Sequence, residues 1–297
     1  MELRHLRYIV AAADHPSLHQ AAISLNVQKS TISRAIRAVE AWLGVPLFER
    51  TNTGTSVTHA GTPFVDGARL IVEIADRIIT DAKAVGRGAA GRLQIGIHAS
   101  MSAGHLRATL ASLHEKAPDV SVQLTEASGR RLLAHTRAGV LDIAIIGGEH
   151  ANANLEYLSA WSDRIVAILP AEHPLAGRES IYWTDLAGET LLFSTRDPGP
   201  QLEALLLGKL PSVGIERRIS RHAVAHSSMP QLVGAKQGVT LVCAGSAEFG
   251  PHAVAVDVRD AAGVSGLPYI AYFRRDHRNP ALGVFLKILR ERYPSRA

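Results

Sequence analysis

The sequence predicts a multidomain fold in which an N-terminal all-α head with a small β-wing precedes a long linker helix and a C-terminal α/β body. Three observations predict it. Apolar residues recur at spacings of three and four over residues 1–45, heptads run from Thr62 to about Gly86, and strand patterns alternate with helix patterns beyond Gly91. At roughly 150 residues per domain, a chain of 297 residues has room for about two domains.

The composition is that of an ordinary globular protein. Hydrophobic residues make up 46% of the chain and charged residues 20%, which excludes a disordered or collagen-like chain. The net charge of +5 and the pI near 9.5 suggest a polyanionic partner. Residues 1–58, however, hold only 6 Lys and Arg against 4 Asp and Glu. Binding to nucleic acid therefore has to be argued from the positions of individual residues.

Cysteine use and the N-terminal residues bear on the compartment. Cys243 is the only cysteine, which excludes an intramolecular disulfide and a C-x-x-C site. The first residues carry charges where a signal peptide has an apolar core, and no apolar run approaches the 18 or so residues that span a bilayer. We expect a cytoplasmic protein without a membrane partner.

The head is predicted to contain three helices and a wing. The first helix should end near Asp14-His15-Pro16, because the residue before a proline disfavours helical backbone. Ser17 opens the second helix with Gln20 three residues on, the pattern of a capping box. The third helix should stop at Gly44, and a turn containing Gly54 after residues 45–51 indicates a β-wing. The apolar stripes of the helices are Leu3, Leu6, Val10 and Ala13; Leu18, Ala21, Ala22 and Leu25; and Ile32, Ala35, Ile36, Val39 and Leu43.

The polar face of the third helix suggests contact with DNA. Ser30, Ser33, Arg34 and Arg37 lie opposite its apolar stripe. A tight helix pair presents its second helix as a rod that fits the major groove, where hydroxyls allow close approach and arginine pairs with guanine or phosphate. The alternative is that these residues are only the solvated face of an amphipathic helix. Their place on the second helix of a helix-turn-helix, followed by a wing, favours DNA.

Five blocks of the head resemble the LysR-type transcriptional regulators, in that family's order and spacing. They are Leu3-Arg4-His5-Leu6-Arg7-Tyr8, Ser17-Leu18-x-x-Ala21-Ala22, Ile32-Ser33-Arg34-x-Ile36-Arg37-x-x-Glu40, Leu43-Gly44-Val45-Pro46-Leu47-Phe48-Glu49-Arg50 and Thr58-His59-Ala60-Gly61. The resemblance implies a winged helix-turn-helix that binds double-stranded DNA. The predicted contact residues are Ser17, Gln28, Lys29, Ser30, Thr31, Ser33, Arg34, Arg37, Arg50 and Thr51.

The chain departs from the family pattern around the third helix. Where the family usually begins this helix with Ser-Gln-Pro, the chain has Gln28-Lys29-Ser30, so a weaker Gln replaces the N-cap hydroxyl. Lys29 stands where a base-reading Gln is common, and lysine favours guanine or phosphate over adenine. Pro16 replaces a glycine before the second helix and should stiffen that entry. We therefore expect the family fold with a different base preference.

The long helix is predicted to be a dimer seam. Apolar residues alternate at spacings of four and three through three heptads, and Val65, Val72 and Ile79 widen the stripe. The seam residues are Phe64, Ala68, Ile71, Ala75, Ile78, Ala82 and Val85. The alternative is a core helix of the next domain. In the resembled family this helix dimerises the heads, which implies a homodimer and further a homotetramer.

The body is predicted to be an α/β domain with a parallel sheet. Its first strands are 93–97, 120–125 and 143–146, separated by helices at 102–116 and 129–138. The later elements are strands at Ile165–Leu169, Val239–Cys243 and Tyr269–Phe273 and helices at 198–207, 229–236 and Pro280–Arg292. The resemblance covers this region and implies a two-lobed effector domain like a periplasmic binding protein. The predicted division is a head over 1–58, a linker helix over 59–87 and an effector domain over 88–297, with lobe I about 92–166 and 268–297 and lobe II about 167–267.

A small-molecule effector is expected between the two lobes. Parallel sheets bind ligands beyond the carboxyl ends of their strands, where helix N-termini offer free N–H groups. Hydroxyls there suit a carboxylate and arginine can neutralise it, so we predict a small organic anion, although the serines could merely cap helices. The predicted effector residues are His98, Ser100, Met101, Ser102, Ser128, Arg130, Gly147, Ser194, Thr195, Arg196 and His226.

Other function classes have less support in the sequence. The 14 histidines lack a Cys or acidic cluster that would complete a metal site, and no nucleophile elbow is present, so we expect no catalytic residue, metal or cofactor. Cys243 on an apolar strand is interpreted as inert rather than redox-active. A solute-binding protein or an α/β enzyme without a DNA-binding role remains the alternative. The prediction is an effector-modulated transcriptional regulator, with DNA, the effector, a second copy and RNA polymerase as candidate partners.

Overall fold

The computed structural model describes residues 1–51, 54–86, 91–98, 104–148, 154–210, 218–246 and 250–294. The chain forms two compact units, Met1–Ala89 and Ala90–Ala297, which we call the head unit and the body. Within the described ranges, no helix is both long and apolar enough to cross a bilayer.

The head unit contains the helices and the wing that the sequence predicts. Its elements are α1 (Leu3–Asp14), α2 (Leu18–Ser24), α3 (Lys29–Leu43), β1 (Phe48–Thr51), β2 (Gly54–Val57) and α4 (Gly61–Gly86). Strands β1 and β2 pair antiparallel. Helix α3 ends at Gly44, whose φ of +74° suits glycine. Ser17 caps α2 by accepting a hydrogen bond from the Gln20 N–H at 3.3 Å, while the described contacts include no return bond from the Gln20 side chain.

A small apolar core fixes the wing to α3. Ile9, Ile32 and Leu47 in this core are fully buried. Glu40 of α3 accepts hydrogen bonds from the backbone N–H groups of Leu47 and Phe48, at 2.8 and 3.1 Å from its Oε1. One carboxylate oxygen of α3 therefore accepts from two consecutive amides at the start of the wing, which ties the wing to α3.

Helix α4 has 26 residues and is about 39 Å long. Helix α1 packs against it, with ion pairs Arg7–Asp76 and Arg69–Asp14 between the two helices. This packing corrects the start of the predicted seam: Phe64 packs against the head core and Ala68 is buried within the chain, because α1 and the core cover the first turns of α4. Ile71 and Ile78 are 49% and 64% exposed, whereas Ala75 is half-buried. The side chains of Ala82 and Val85 lie outside the described residues.

The body alternates strands and helices. Its first elements are β3 (Arg92–Ile97), α5 (His105–Lys116), β4 (Ser121–Glu126), α6 (Gly129–Arg137), β5 (Ile143–Gly147) and β6 (Glu156–Pro170). These are followed by β7 (Ser180–Tyr182), β8 (Thr190–Ser194), α7 (Gly199–Lys209), β9 (Arg218–His222), α8 (Met229–Gly234) and β10 (Val239–Cys243). The last elements are β11 (Ala253–Asp260), β12 (Gly263–Val264), β13 (Gly266–Phe273) and α9 (Pro280–Arg292).

The strands form a mixed sheet rather than the parallel one that the sequence predicts. Its order is β4-β3-β5-β13-β6-β10-β8-β9, with β11 beside β6 and β7, and β12 beside β11. Strand β3 is parallel to β4 and β5, as predicted, but β13 is antiparallel to both β5 and β6. We call the strands β3, β4 and β5 with α6 the first half of the sheet, and β8, β9 and β10 with α7 the second half.

Strand β6 is three times longer than its predicted segment. It pairs through Glu156–Arg164 with β13 and through Ile165–Pro170 with β10 and β11. Only the second part, where the residues are almost all buried, has the apolar run that is typical of a buried strand. Strands β7, β8, β9, β11 and β12 were also not predicted.

Candidate DNA-binding face and effector cavity

The exposed side of α3 carries the residues predicted to contact DNA. Gln28, Lys29, Ser30, Arg34 and Arg37 are exposed, and Thr31 and Ser33 are half-buried. The Arg34 Nε donates to the Ser30 carbonyl at 3.3 Å, and the Ser30 hydroxyl donates to Gln28 Oε1 at 3.4 Å. These two described contacts stay within α3 and its N-cap, and the face carries cations and hydroxyls.

The remaining predicted DNA contacts lie at the edges of this face. Gln28 occupies the N-cap of α3 without a side-chain capping bond, as its chemistry predicts. Ser17 is half-buried and its hydroxyl caps α2, so its first role is structural. Arg50 and Thr51 belong to β1 of the wing, but their side chains lie outside the described residues.

A cavity of about 440 Å³ lies in the body between loops from the two halves of the sheet. Ser128 lines it at the N-cap of α6, and Thr195 and Arg196 line it just after β8. These are three of the predicted effector residues. The other described lining residues, which were not among the predicted contacts, are Glu126, Ala127 and Asp197.

Several predicted effector residues lie behind the cavity instead of lining it. Ser194 is buried, and its hydroxyl donates to the Val224 carbonyl at 2.6 Å and accepts from the Arg196 N–H at 2.9 Å. It therefore positions the loop that carries Thr195 and Arg196. The buried Gly147 donates its N–H to His98 Nδ1 at 3.2 Å.

Two further predicted residues stand apart from the cavity wall. Arg130 is exposed on α6 and is not among the lining residues. His226 is buried, and neither ring nitrogen has a hydrogen-bond partner within the described part of the chain. Burial lowers the pKa of His226 to about 4, so the ring is neutral near pH 7. Ser100, Met101 and Ser102 lie outside the described residues.

Asp197 is the main residue of this site that was not predicted from the sequence. Its carboxylate accepts from the Gly129 N–H at 2.9 Å and from Gln201 Nε2 at 3.1 Å, and Oδ2 lies 2.9 Å from His98 Nε2. Burial alone would raise the pKa of Asp197, but hydrogen bonds from His98, Gly129 and Gln201 outweigh it and hold the pKa well below its usual range. The position of Asp197 three residues after β8, at the same sheet edge as Thr195 and Arg196, was the available signal.

Cys243 has the environment of an unreactive thiol. It is buried at the end of β10, and burial together with the nearby Asp163 raises its pKa to about 12, against a smaller lowering by a hydrogen bond with Tyr269. Since the thiolate is the reactive form, this environment supports the interpretation of Cys243 as inert.

Comparison with known proteins finds a family match for each of the two units. The model of the bacterial regulatory helix-turn-helix protein, lysR family, matches residues 3–62, and that of the LysR substrate binding domain matches residues 86–294. The uncharacterized HTH-type transcriptional regulator YnfL of Escherichia coli (strain K12) is 31% identical over 245 residues, 82% of each chain. The HTH-type transcriptional regulator AlsR of Bacillus subtilis (strain 168) is 29% identical over 288 residues, 97% of this chain and 95% of AlsR.

Solved structures of similar proteins match the fold over nearly the whole chain. The crystal structure of CbnR, a LysR family transcriptional regulator, matches with a TM-score of 0.74 at 24% identity, covering 98% of this chain and 99% of CbnR. Full-length CbnR in complex with its target DNA matches with the same TM-score at 25% identity and the same coverage of both chains. The chain therefore belongs to the LysR family of DNA-binding transcriptional regulators, which carry an effector-binding domain and are not enzymes.

Proposed function

We propose that the chain binds duplex DNA as a homodimer, with α3 of each copy in successive major grooves. One observation carries the proposal: Lys29, Arg34 and Arg37 are all exposed on the second helix of the helix-turn-helix. In this motif the second helix lies in the major groove and its side chains reach bases and phosphates. Dimerisation duplicates these few cations, which supports DNA binding by a head with little net charge.

Replacing Arg34 by alanine should weaken DNA binding about tenfold, because a good arginine contact to guanine contributes about 1–3 kcal/mol of discrimination. If Arg34 contacts phosphate instead, the salt slope of log K should fall by about one. An electrophoretic shift with DNA from upstream of the chain's own reading frame, repeated over a salt series, measures both. Arg107→Ala, at an exposed position of α5, is the matched control. Unchanged binding by Arg34→Ala would contradict the proposal.

The effector is proposed to be a small organic anion held in the 440 Å³ cavity. Among the lining residues that the structure describes, Arg196 is the one cation, and the hydroxyls of Ser128 and Thr195 can donate to a carboxylate. Glu126 and Asp197 also line the cavity, and they would repel a second negative charge. These charges favour a monocarboxylate that carries hydrogen-bond donors of its own.

Thermal-shift screening tests the ligand class. Organic acids near a hundredfold excess over their Kd should raise the melting temperature by about 5 °C, whereas amines of matched size should not. Arg196→Ala should abolish the response, and Arg130→Ala, an exposed arginine of α6 that is not among the lining residues, should keep it. Fluorescence of the buried Trp161 and Trp183 offers a second readout. Stabilisation by amines or apolar compounds alone would contradict the anion.

Regulation then requires that the effector favours one arrangement of the dimer over another. We propose that binding closes lobe I (about 92–166 and 268–297) on lobe II (about 167–267). This motion changes the spacing of the heads at residues 1–58 through the linker helix over 59–87, and so the bend of the DNA. A homotetramer and a contact with RNA polymerase extend the same proposal, and the site of action is the cytoplasm, where bacterial DNA lies.

A further inference from the structure

The Asp197 carboxylate occupies a position built to hold an anion. Gly129 is the first residue of α6, and its N–H donates to Asp197 Oδ2 at 2.9 Å. N–H groups at a helix N-terminus are free of intrahelical partners and favour negative charge. Gln201, on α7 of Asp197's own half of the sheet, donates to Oδ1 at 3.1 Å.

His98 supplies a second, independent donor to the same carboxylate. The ring is 1% exposed, and its Nδ1 accepts the Gly147 N–H at 3.2 Å. Because Nδ1 is the acceptor, the ring proton belongs on Nε2, which lies 2.9 Å from Asp197 Oδ2. A buried imidazole N–H and a helix N-terminal amide thus converge on one carboxylate oxygen.

The two sides of this contact come from different halves of the sheet. His98 follows β3 and Gly129 follows β4, whereas Asp197 follows β8. We propose that Asp197 is a built-in anionic ligand, which fills a carboxylate-binding position of the first half and joins the two halves when no effector is bound. If the effector is a carboxylate, as proposed above, it acts by replacing Asp197 at His98 Nε2 and the Gly129 N–H.

This arrangement predicts rescue by a free carboxylate. In the full-length chain, Asp197→Ala removes the anion but leaves its donors in place, so the melting temperature should fall by about 5 °C. Sodium acetate near 50 mM should restore about half of that loss by filling the vacated position. Sodium chloride at the same ionic strength should not, and acetate should leave the wild type unchanged. Should the alanine variant fail to fold, Asp197→Ser, which also removes the charge, carries the same comparison.

Glu203→Ala is the matched control. Like Asp197, Glu203 of α7 is a paired carboxylate, and it accepts from Arg221 Nε at 3.1 Å. Its described contacts, however, include neither a helix N-terminal N–H nor an imidazole N–H. The fall in melting temperature of Glu203→Ala should not be restored by acetate. Absence of an acetate-specific gain in the Asp197 variants, or an equal gain in Glu203→Ala, would overturn the inference.

The same data separate this inference from the proposed function. Acetate rescue in a chain that does not respond to organic acids would support the built-in ligand and contradict the effector class. Conversely, stabilisation of the wild type by organic acids without acetate rescue of the Asp197 variants would leave the effector proposal standing and overturn this one.

Discussion

Gly61→Ala is expected to destabilise the head unit by about 3 kcal/mol and to abolish DNA binding at temperatures where the wild type binds. A Cβ at residue 61 would lie 2.9 Å from the carbonyl carbon of Leu47 and closer still to its oxygen. The Leu47 backbone cannot move away without breaking hydrogen bonds. The Leu47 carbonyl accepts from the Thr58 N–H at 2.9 Å, and Glu40 holds the Leu47 N–H at 2.8 Å.

Gly67→Ala is the control for this substitution. It lies in the same helix, α4, but a Cβ there would meet nothing within 4 Å. Exchanging glycine for alanine inside a helix should stabilise it by about 0.5–1 kcal/mol. Urea denaturation followed by circular dichroism, with an electrophoretic shift on the same preparations, measures both variants. Equal stability of the two variants would show that the approach of α4 to the wing is not a tight contact.

The double substitution Ile71→Asp and Ile78→Asp is expected to weaken self-association at least a hundredfold. Both side chains are about half exposed or more in the single chain, at 49% and 64%. Burying an isoleucine is favourable by about 1.5–3 kcal/mol, and a symmetric dimer would bury four of them. Replacing them with four carboxylates removes this gain and adds repulsion, so a loss above about 3 kcal/mol is expected, which is more than a hundredfold in Kd.

Sedimentation equilibrium over a concentration series measures this change. Val264→Asp is the control, because Val264 is 52% exposed and belongs to β12 of the body rather than to α4. The double variant should also bind DNA more weakly, since a monomer engages only one half-site. If the association constant of the double variant matches that of Val264→Asp, the prediction of a dimer seam on α4 is wrong and self-association occurs through the body.

The head could be predicted closely because its signals are local. Ser17 at an N-cap, Gly44 at a C-cap and the spacing of Ile32, Ile36 and Val39 each act within a few residues. Strand β6 was recognised only in part, because Glu156–Arg164 is stabilised by pairing with β13, more than 100 residues further along the chain. Polar residues in that part removed the apolar run by which a buried strand is recognised.

The effector cavity, like β6, was predicted only in part, because some of its contacts join residues far apart in the chain. Ser128, Thr195 and Arg196 were found because strand ends meet at one edge of the sheet, a rule that needs no long-range contact. The contact of Asp197 with His98 joins residues 99 positions apart, and nothing local to either residue announces it. Ser194 was misplaced because sequence does not reveal that its hydroxyl is already engaged by the backbone of Val224 and Arg196.

The place of β13 in the sheet sets the order in which the body can be completed during synthesis. This strand lies between β5 and β6, although it is the last strand that the structure describes. While a ribosome is still making residues 170–265, β5 and β6 exist without the strand that separates them, and the edges that face it stay unpaired. The nascent body therefore remains open along its middle until Phe273 has emerged, and only then can the two halves of the sheet become one.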